Sequence, residues 1–341
     1  MKKPIIISMG DPAGIGPEIL LKALLQGEVG QLERPVLVAG DVTVLQRAAE
    51  VLEINLRVTP GESEAVRILQ CGERSFAVRE LSTLAADGWR FGVTSLAAGT
   101  AMAEYVEWSL RQCLESRAAA LVTCPISKAA INAAGVPFPG HTELLAERCG
   151  CDKVVMMLAG EKLRVGLVTT HLGYREVPMA LSEAEIFTTL QIVDRALRED
   201  FALEQPRLGV LALNPHAGEG GLFGSEELEL ITPAIARARA VGIQASGPHS
   251  ADTYFHFAVQ GAADAVICMY HDQGLIPLKL LHFDDAVNVT LGLPIIRTSV
   301  DHGTAYDLAG TGQARPTSLI AALRMAEQMI RSREQRPSAG A

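Results

Sequence analysis

The 341-residue sequence has no CxxC pair, no run of basic residues, no apolar stretch of membrane-span length, no internal repeat and no Gly/Ser/Pro-rich linker. Each lack excludes something. The six cysteines (Cys71, Cys113, Cys124, Cys149, Cys151 and Cys268) are scattered. That pattern argues against a disulfide framework and suits reduced thiols in a cytoplasmic protein. "CGC" at 149–151 is too isolated to form a metal knuckle. With a formal net charge of −9 and no basic run, nucleic acid is not an expected partner. The two N-terminal lysines precede an apolar stretch too short for a signal peptide, and nothing approaches a membrane span. Without a linker, two lobes would require the chain to cross between them more than once.

The remainder reads as a large globular enzyme: 48% apolar and 20% charged residues over a length that buries a sizeable core. Strand-length apolar runs (Ile5–Ser8, Val36–Ala39, Ala119–Thr123, Val154–Leu158, Val165–Thr169, Leu208–Leu213, Ala265–Met269, Ala286–Thr290) alternate with helix-length amphipathic stretches. The helical stretches are Ile15–Gln26, Val42–Leu52, Thr94–Glu115, Glu185–Arg198, Ser225–Ala240, Thr253–Gln260 and a last one from near Pro316 to about Arg333. This alternation predicts an α/β protein with a largely parallel sheet. The tail "SREQRPSAGA" is polar and small, and is expected to fray.

An early segment, "IIISMGDPAGIGPEILLKALL", raises the question of a dinucleotide fingerprint. It has a β-branched strand, a glycine loop and a helix, and Asp41 follows at the end of "PVLVAGD".

The most informative pattern lies elsewhere. His171 in "LRVGLVTTHLGYREVP", His216 in "RLGVLALNPHAGEGG" and His271 in "DAVICMYHDQGLIPLK" each follow a strand. Ligands of parallel α/β sheets bind outside the carboxyl ends of the strands. Three imidazoles delivered there suit a metal ion with open positions, although each alone would more commonly be an ordinary loop histidine. Asp272, beside His271, and Asp252, in "GPHSADTYF", are carboxylates that would orient a ligand or accept a proton. For Asp252 an N-cap role is at least as good. His256 reads as a helix-face residue, and His249 and His282 as loop or helix-end residues without an assignable partner. His141 precedes a helix for which Thr142 is a plausible N-cap. Such a start favours an anion, with simple capping as the competing reading.

Lys279, Asn288 and Arg297 fall on successive short elements after His271. Two cations and an amide suit a phosphate or carboxylate. Asn288 sits inside an apolar strand and Arg297 follows "PII", where buried polar groups need partners. Next comes "RTSVDHGTAYDLAGTGQARPTSLIAAL", a long connection of small residues that lets backbone approach a ligand closely.

Taken in order, "GDPAGIGPE", "TCPISKAAI", "GHTE", "TTHLGYREVP", "LNPHAGEGGLFG", "YHDQGLIPLK" and "RTSVDHGTAYDLAGTG" resemble the 4-hydroxythreonine-4-phosphate dehydrogenase family of pyridoxal phosphate biosynthesis. The resemblance spans nearly the whole chain. It implies an α/β fold similar to isocitrate and isopropylmalate dehydrogenases, with two α/β lobes around a central cleft and no classical Rossmann domain. The lobes would be roughly residues 1–125 with 300–341, and 126–299. It implies a homodimer with the active site at the subunit interface and residues from both subunits. The metal ligands would be His171, His216 and His271, holding Zn, Mg, Mn or Co. The substrate contacts would be His141, Thr142, Lys279, Asn288 and Arg297. The adenosine of NAD or NADP would lie on the late loop, at Gly303, Thr304, Ala305 and Asp307. The opening loop would then only shape a tight turn: Ile19 stands where the third glycine of GxGxxG would fall, and Pro17 suits a first helical turn.

The implied substrate is 4-phosphooxy-L-threonine. Its C3 hydroxyl would be oxidised by hydride transfer, and the 2-amino-3-oxo acid would lose CO₂ to give 3-amino-2-oxopropyl phosphate. Asp252, Asp272 or a metal-linked water would remove the hydroxyl proton. A paralogue acting on erythronate or threonate 4-phosphate would keep the metal and phosphate contacts. An acyl-phosphate transferase would not need three histidine ligands, and a metal-dependent phosphatase would leave "HGTAYDLAG" unexplained.

Overall fold

The computed structural model describes residues 2–25, 32–85, 87–136 and 140–336. It divides into two compact units, Met1–Cys151 with Leu293–Ile330 and Asp152–Gly292 with Arg331–Ala341. Both are α/β, as the alternating pattern predicts.

In the first unit the chain runs β1 (Ile5–Ser8), α1 (Gly16–Leu25), β2 (Val36–Gly40), α2 (Val42–Val51), β3 (Arg57–Pro60), β4 (Val66–Cys71), β5 (Arg74–Glu80), α3 (Leu96–Leu114), β6 (Ala120–Thr123), α4 (Lys128–Ala133) and α5 (His141–Arg148). The second unit contributes β7 (Val155–Ala159), β8 (Arg164–Leu167), α6 (Val177–Ala180), α7 (Glu183–Asp200), β9 (Arg207–Leu211), α8 (Thr232–Ala240), β10 (Gln244–His249), α9 (Ala251–Phe257), β11 (Ala265–Cys268), α10 (His271–Leu281) and β12 (Val287–Leu291). The chain then returns for β13 (Arg297–Val300) and ends in α11 (Thr317–Gln335).

The strands of the first unit are ordered β13-β6-β1-β2-β5-β4-β3. Five run parallel; at the edge β4 pairs antiparallel with β5, and β3 antiparallel with β4. Central β1 shows why: Ile5, Ile6 and Ile7 are all buried, as expected of a strand covered on both faces. The meander of β3, β4 and β5 departs from the expected pattern. "RVTP", "VRILQC" and "RSFAVRE" mix charged and apolar residues, the signature of a half-exposed antiparallel ribbon rather than a buried parallel strand.

In the second unit the order is β10-β9-β11-β8-β7-β12. β10, β9, β11 and β8 are parallel, whereas β7 runs antiparallel to both neighbours. Leu158, Val165, Leu211, Tyr254, Leu275 and Leu278 pack together beneath α9 and α10.

Two further differences from the expected elements have local causes. α10 carries Gly274 and Pro277, which disguise a helix in sequence. α11 runs through Ser332 to Gln335, so the first residues of the expected frayed tail are helical; 337–341 lie outside the described residues, as does Gln26, the expected end of α1. No helix of the described residues is long and apolar enough to cross a membrane.

Asp41 has a structural use. It is fully buried and caps α2, accepting from Val44 N at 3.1 Å. Its other oxygen accepts from Ser82 Oγ and Leu84 N, both at 2.8 Å. Fully buried and already accepting three hydrogen bonds within its own unit, it is not open to a ribose. Asp41→Ala should lower the free energy of unfolding by about 2 kcal/mol, measured by urea denaturation, with nucleotide KM unchanged. A selective rise in that KM at unaltered stability would return Asp41 to a ribose-binding role.

Candidate active site

The three strand-end histidines follow β8, β9 and β11, which are adjacent and parallel in the order β9-β11-β8. Parallel strands end on the same edge, so His271 sits between the positions of His216 and His171. Gln273, in the first turn of α10, ties two of these ends together. Its Oε1 accepts from Met269 N at 2.7 Å and its Nε2 donates to Ala212 O at 2.6 Å. Thr169 Oγ1 donates to Met269 O at 2.7 Å, joining the third.

The structure brings two of the three imidazoles together. The His171 and His271 ring centroids are 5.7 Å apart. Two imidazoles bound to one tetrahedral ion at the usual metal–nitrogen distance would have ring centres roughly 5.3 Å apart, so this pair fits. His271 Nδ1 is 2.7 Å from Asp272 Oδ1, whose other oxygen accepts from Tyr174 OH at 2.6 Å. The hydroxyl of Tyr174, then His271, hold the Asp272 carboxyl below the usual range. Such a contact fixes the tautomer and leaves Nε2 for a ligand. Tyr174 itself is a contact that the sequence reading missed, although it lies within the "HLGYREVP" motif. Thr170, His171, Tyr174, Tyr270, His271 and Asp272 line a cleft of about 260 Å³.

His216 is placed differently. It begins a turn with five consecutive left-handed residues, His216 to Gly220 (φ 43–74°), and its ring lies 6.2 Å from Phe223. The turn is anchored by the buried Glu227 carboxylate, which accepts from Leu213 N and Asn214 N at 2.8 Å and from Asn214 Nδ2 at 3.0 Å. No group of three metal-capable side chains assembles among the described residues.

His249, His282 and His256 acquire partners. His249 stacks on Tyr254, with centroids 3.9 Å apart and planes at 7°, and meets Ser246 Oγ at 2.9 Å. His282 is buried between Asp285 and the Lys162 amide. His256 pairs with Gln260 at 2.9 Å. Asp252 lies in the first turn of α9, where Ser250 rather than Asp252 takes the N-cap position. Asp252 accepts from Ser250 Oγ at 2.6 Å.

The anion-binding candidates divide between the two units. In the first, Arg297 is 2% exposed and donates to Thr123 Oγ1 at 2.8 Å. Burial, opposed by the charge of Glu143, brings its pKa down to about 10, so it remains a cation at neutral pH. His141 Nε2 is buried without a hydrogen-bond partner among the described residues. Burial and then the Arg297 charge hold the His141 imidazole well below its ordinary value, hence neutral. Gly140 is the N-cap of α5 and the helix begins at His141, so Thr142 falls inside the first turn rather than capping it. In the second unit, Asn288 lies in β12 with its Oδ1 buried and unpartnered among the described residues. Lys279, in the last turn of α10, has its Nζ 6.0 Å from the Phe283 ring centre.

The late loop has two sides. His302, Gly303 and Asp307 are exposed, and a Cβ added at Gly303 would meet nothing within 4 Å. The other side faces the opening loop. Ile15 N donates to Thr304 O at 3.1 Å and Tyr306 OH to Asp11 Oδ2 at 2.5 Å. The opening glycines serve close packing. Gly10 has φ +73°, and a Cβ there would lie 2.3 Å from Pro125 O; a Cβ at Gly16 would lie 2.3 Å from Met9 O.

Parallel strand ends with paired histidines, a buried guanidinium and a separate glycine loop define an α/β enzyme of small polar ligands. The comparisons are more specific. The profile of the family "Pyridoxal phosphate biosynthetic protein PdxA" matches residues 31–326, and the chain belongs to that family. A 4-hydroxythreonine-4-phosphate dehydrogenase of Geobacter metallireducens is 53% identical over 330 residues, covering 97% of this chain and 96% of its relative. The crystal structure of the Klebsiella pneumoniae enzyme of the same name superposes with TM-score 0.82 at 40% identity, covering 96% of this chain and all of the other. A terephthalate 1,2-cis-dihydrodiol dehydrogenase of Burkholderia xenovorans is 31% identical with TM-score 0.64, covering 96% and 98%.

Arg297→Lys replaces a buried planar fork with a point charge. It should weaken binding of inorganic phosphate about ten- to hundredfold, the worth of one charge-assisted hydrogen bond. Equilibrium binding of phosphate to the intact protein checks this; unchanged affinity would remove Arg297 from the anion site.

Proposed function

We propose that the protein oxidises 4-phosphooxy-L-threonine at C3 with NAD or NADP, and that the product loses CO₂ to give 3-amino-2-oxopropyl phosphate. The observation that carries the reading is the set of adjacent parallel strand ends bearing His171, His216 and His271, in a chain 53% identical to a relative of that name.

The residues divide the work. His171 and His271, with His216, hold a divalent ion of the Zn, Mg, Mn or Co class. When bound, such an ion acidifies the substrate hydroxyl and polarises the ketone that follows. Asp272, engaged by both His271 and Tyr174, orients the imidazole. Asp252, at the neighbouring end of β10, is the carboxylate left to take the hydroxyl proton. In the first unit Arg297, with neutral His141 and with Thr142, is the candidate grip on the phosphate, and in the second Lys279 and Asn288 are candidate substrate contacts; binding energy spent on the phosphate, remote from C3, positions the reacting carbon. The late loop, with Gly303 and Asp307 on its open side and Thr304 and Ala305 next to them in the chain, receives the adenosine of the nucleotide that accepts the hydride. The protein works as a homodimer, and the second copy contributes to each site. The six free cysteines suit a reducing cytoplasm.

Chelation should abolish turnover, and added Zn²⁺, Co²⁺, Mn²⁺ or Mg²⁺ should restore it. His171→Ala, His216→Ala and His271→Ala should each lose bound metal while remaining folded; stoichiometric metal in all three would place the ion elsewhere. Nicotinamide reduction followed by absorbance, with phosphothreonine, erythronate 4-phosphate and threonate 4-phosphate side by side, tests the substrate. Faster reduction with either sugar-acid phosphate would reassign the chain to the paralogous activity.

A further inference from the structure

The opening segment has no catalytic use in this scheme, yet it buries two acids completely. Asp11 and Glu18 are both 0% exposed. Asp11 accepts from Ala13 N at 2.8 Å and from Tyr306 OH at 2.5 Å. Glu18, in the first turn of α1, accepts from Gly310 N through Oε1. Its Oε2 is buried with no hydrogen-bond partner among the described residues. One turn on, Lys22 Nζ donates to Gly312 O at 2.6 Å and Ala314 O at 2.7 Å. With Ile15 N on Thr304 O, the opening segment holds the late loop at Thr304, Tyr306, Gly310, Gly312 and Ala314, while His302, Gly303 and Asp307 face outward.

A buried carboxylate that recovers only one backbone N–H is a poor device for stability alone. It has a use if the late loop must keep one shape. A connection with glycines at 303, 310 and 312 would otherwise lose conformational freedom when a ligand orders it, and anchoring it during folding removes that cost from binding.

We propose that the opening glycine segment is the template of the nucleotide loop, and that Glu18 and the Asp11–Tyr306 pair are positioning residues that set dinucleotide affinity without touching the dinucleotide. The inference rests on the assignment of the late loop to the nucleotide.

The test titrates NADH and NADPH into the full-length protein by fluorescence, with bound metal, phosphate affinity and amide exchange of 303–314 measured on the same samples. Tyr306→Phe and Glu18→Ala should each weaken the tighter nucleotide about tenfold, the lower range of one charge-assisted bond. Exchange across 303–314 should quicken, and metal and phosphate binding should stay put. Glu18→Gln keeps an acceptor for Gly310 N and should restore most of the affinity. A merely structural role would lower the melting temperature and leave nucleotide affinity in place. Should Glu18→Ala fail to fold, Tyr306→Phe, which keeps the ring, carries the test. Normal nucleotide affinity in Tyr306→Phe alongside weakened affinity in Asp307→Ala would overturn the template while keeping the nucleotide loop. Normal affinity in Asp307→Ala would overturn the loop assignment itself, and the template with it.

Discussion

Parallel strands must all end on the same edge of their sheet, and the placement of the candidate site depends on that constraint. β8, β9 and β11 are neighbours, so the loops after them start within two strand spacings of each other, on the order of 10 Å. That adjacency brings His171, His216 and His271, spread along a hundred residues of sequence, to one edge. The strand ends are then pinned to each other by Gln273, which spans from Met269 to Ala212, and by Thr169 on Met269. The paired imidazoles of His171 and His271 inherit their spacing from this scaffold.

Polar groups within each unit illustrate how local surroundings set protonation. Asp272 is half-exposed, and hydrogen bonds with Tyr174 and then His271 hold its carboxyl below the usual range. His141 is partly buried, with its Nε2 enclosed, and burial and then the Arg297 charge keep it neutral. Arg297 remains charged in spite of burial, because even a lowered guanidinium pKa is far above neutral pH. A buried guanidinium offset by the charge of Glu143, with a neutral imidazole beside it, is an electrostatic setting that suits an anionic ligand.

The two glycine-rich segments look alike in sequence and are used differently. In the opening one, Gly10 and Gly16 admit protein backbone where a Cβ would collide. In the late one, Gly303 faces open space. Asp41, the residue that would complete a Rossmann reading, is consumed in capping α2 and holding Ser82 and Leu84.

Much of this was legible in the residues themselves. Apolar runs such as Ile5–Ser8 and Ala265–Cys268 determine buried parallel strands because no solvent-facing residue interrupts them, and a histidine following such a run is thereby placed at a strand end. What lay beyond the sequence were the features that depend on partners distant along the chain. The meander of β3 to β5 mixes charge with apolar residues, and only pairing makes it a sheet edge. α10 forms in spite of Gly274 and Pro277 because Leu275 and Leu278 are buried beneath it. Gly140 rather than Thr142 caps α5, and Ser250 rather than Asp252 stands at the start of α9, because a cap is chosen by backbone direction, which tertiary contacts fix. The sequence by itself determined which residue types reach the strand ends. The tertiary structure decided which of them meet, that Asp41 is a cap, and that Asp11 and Glu18 face a loop some 290 residues away, since hydrogen bonds across such separations are set by packing and leave no periodicity in the chain.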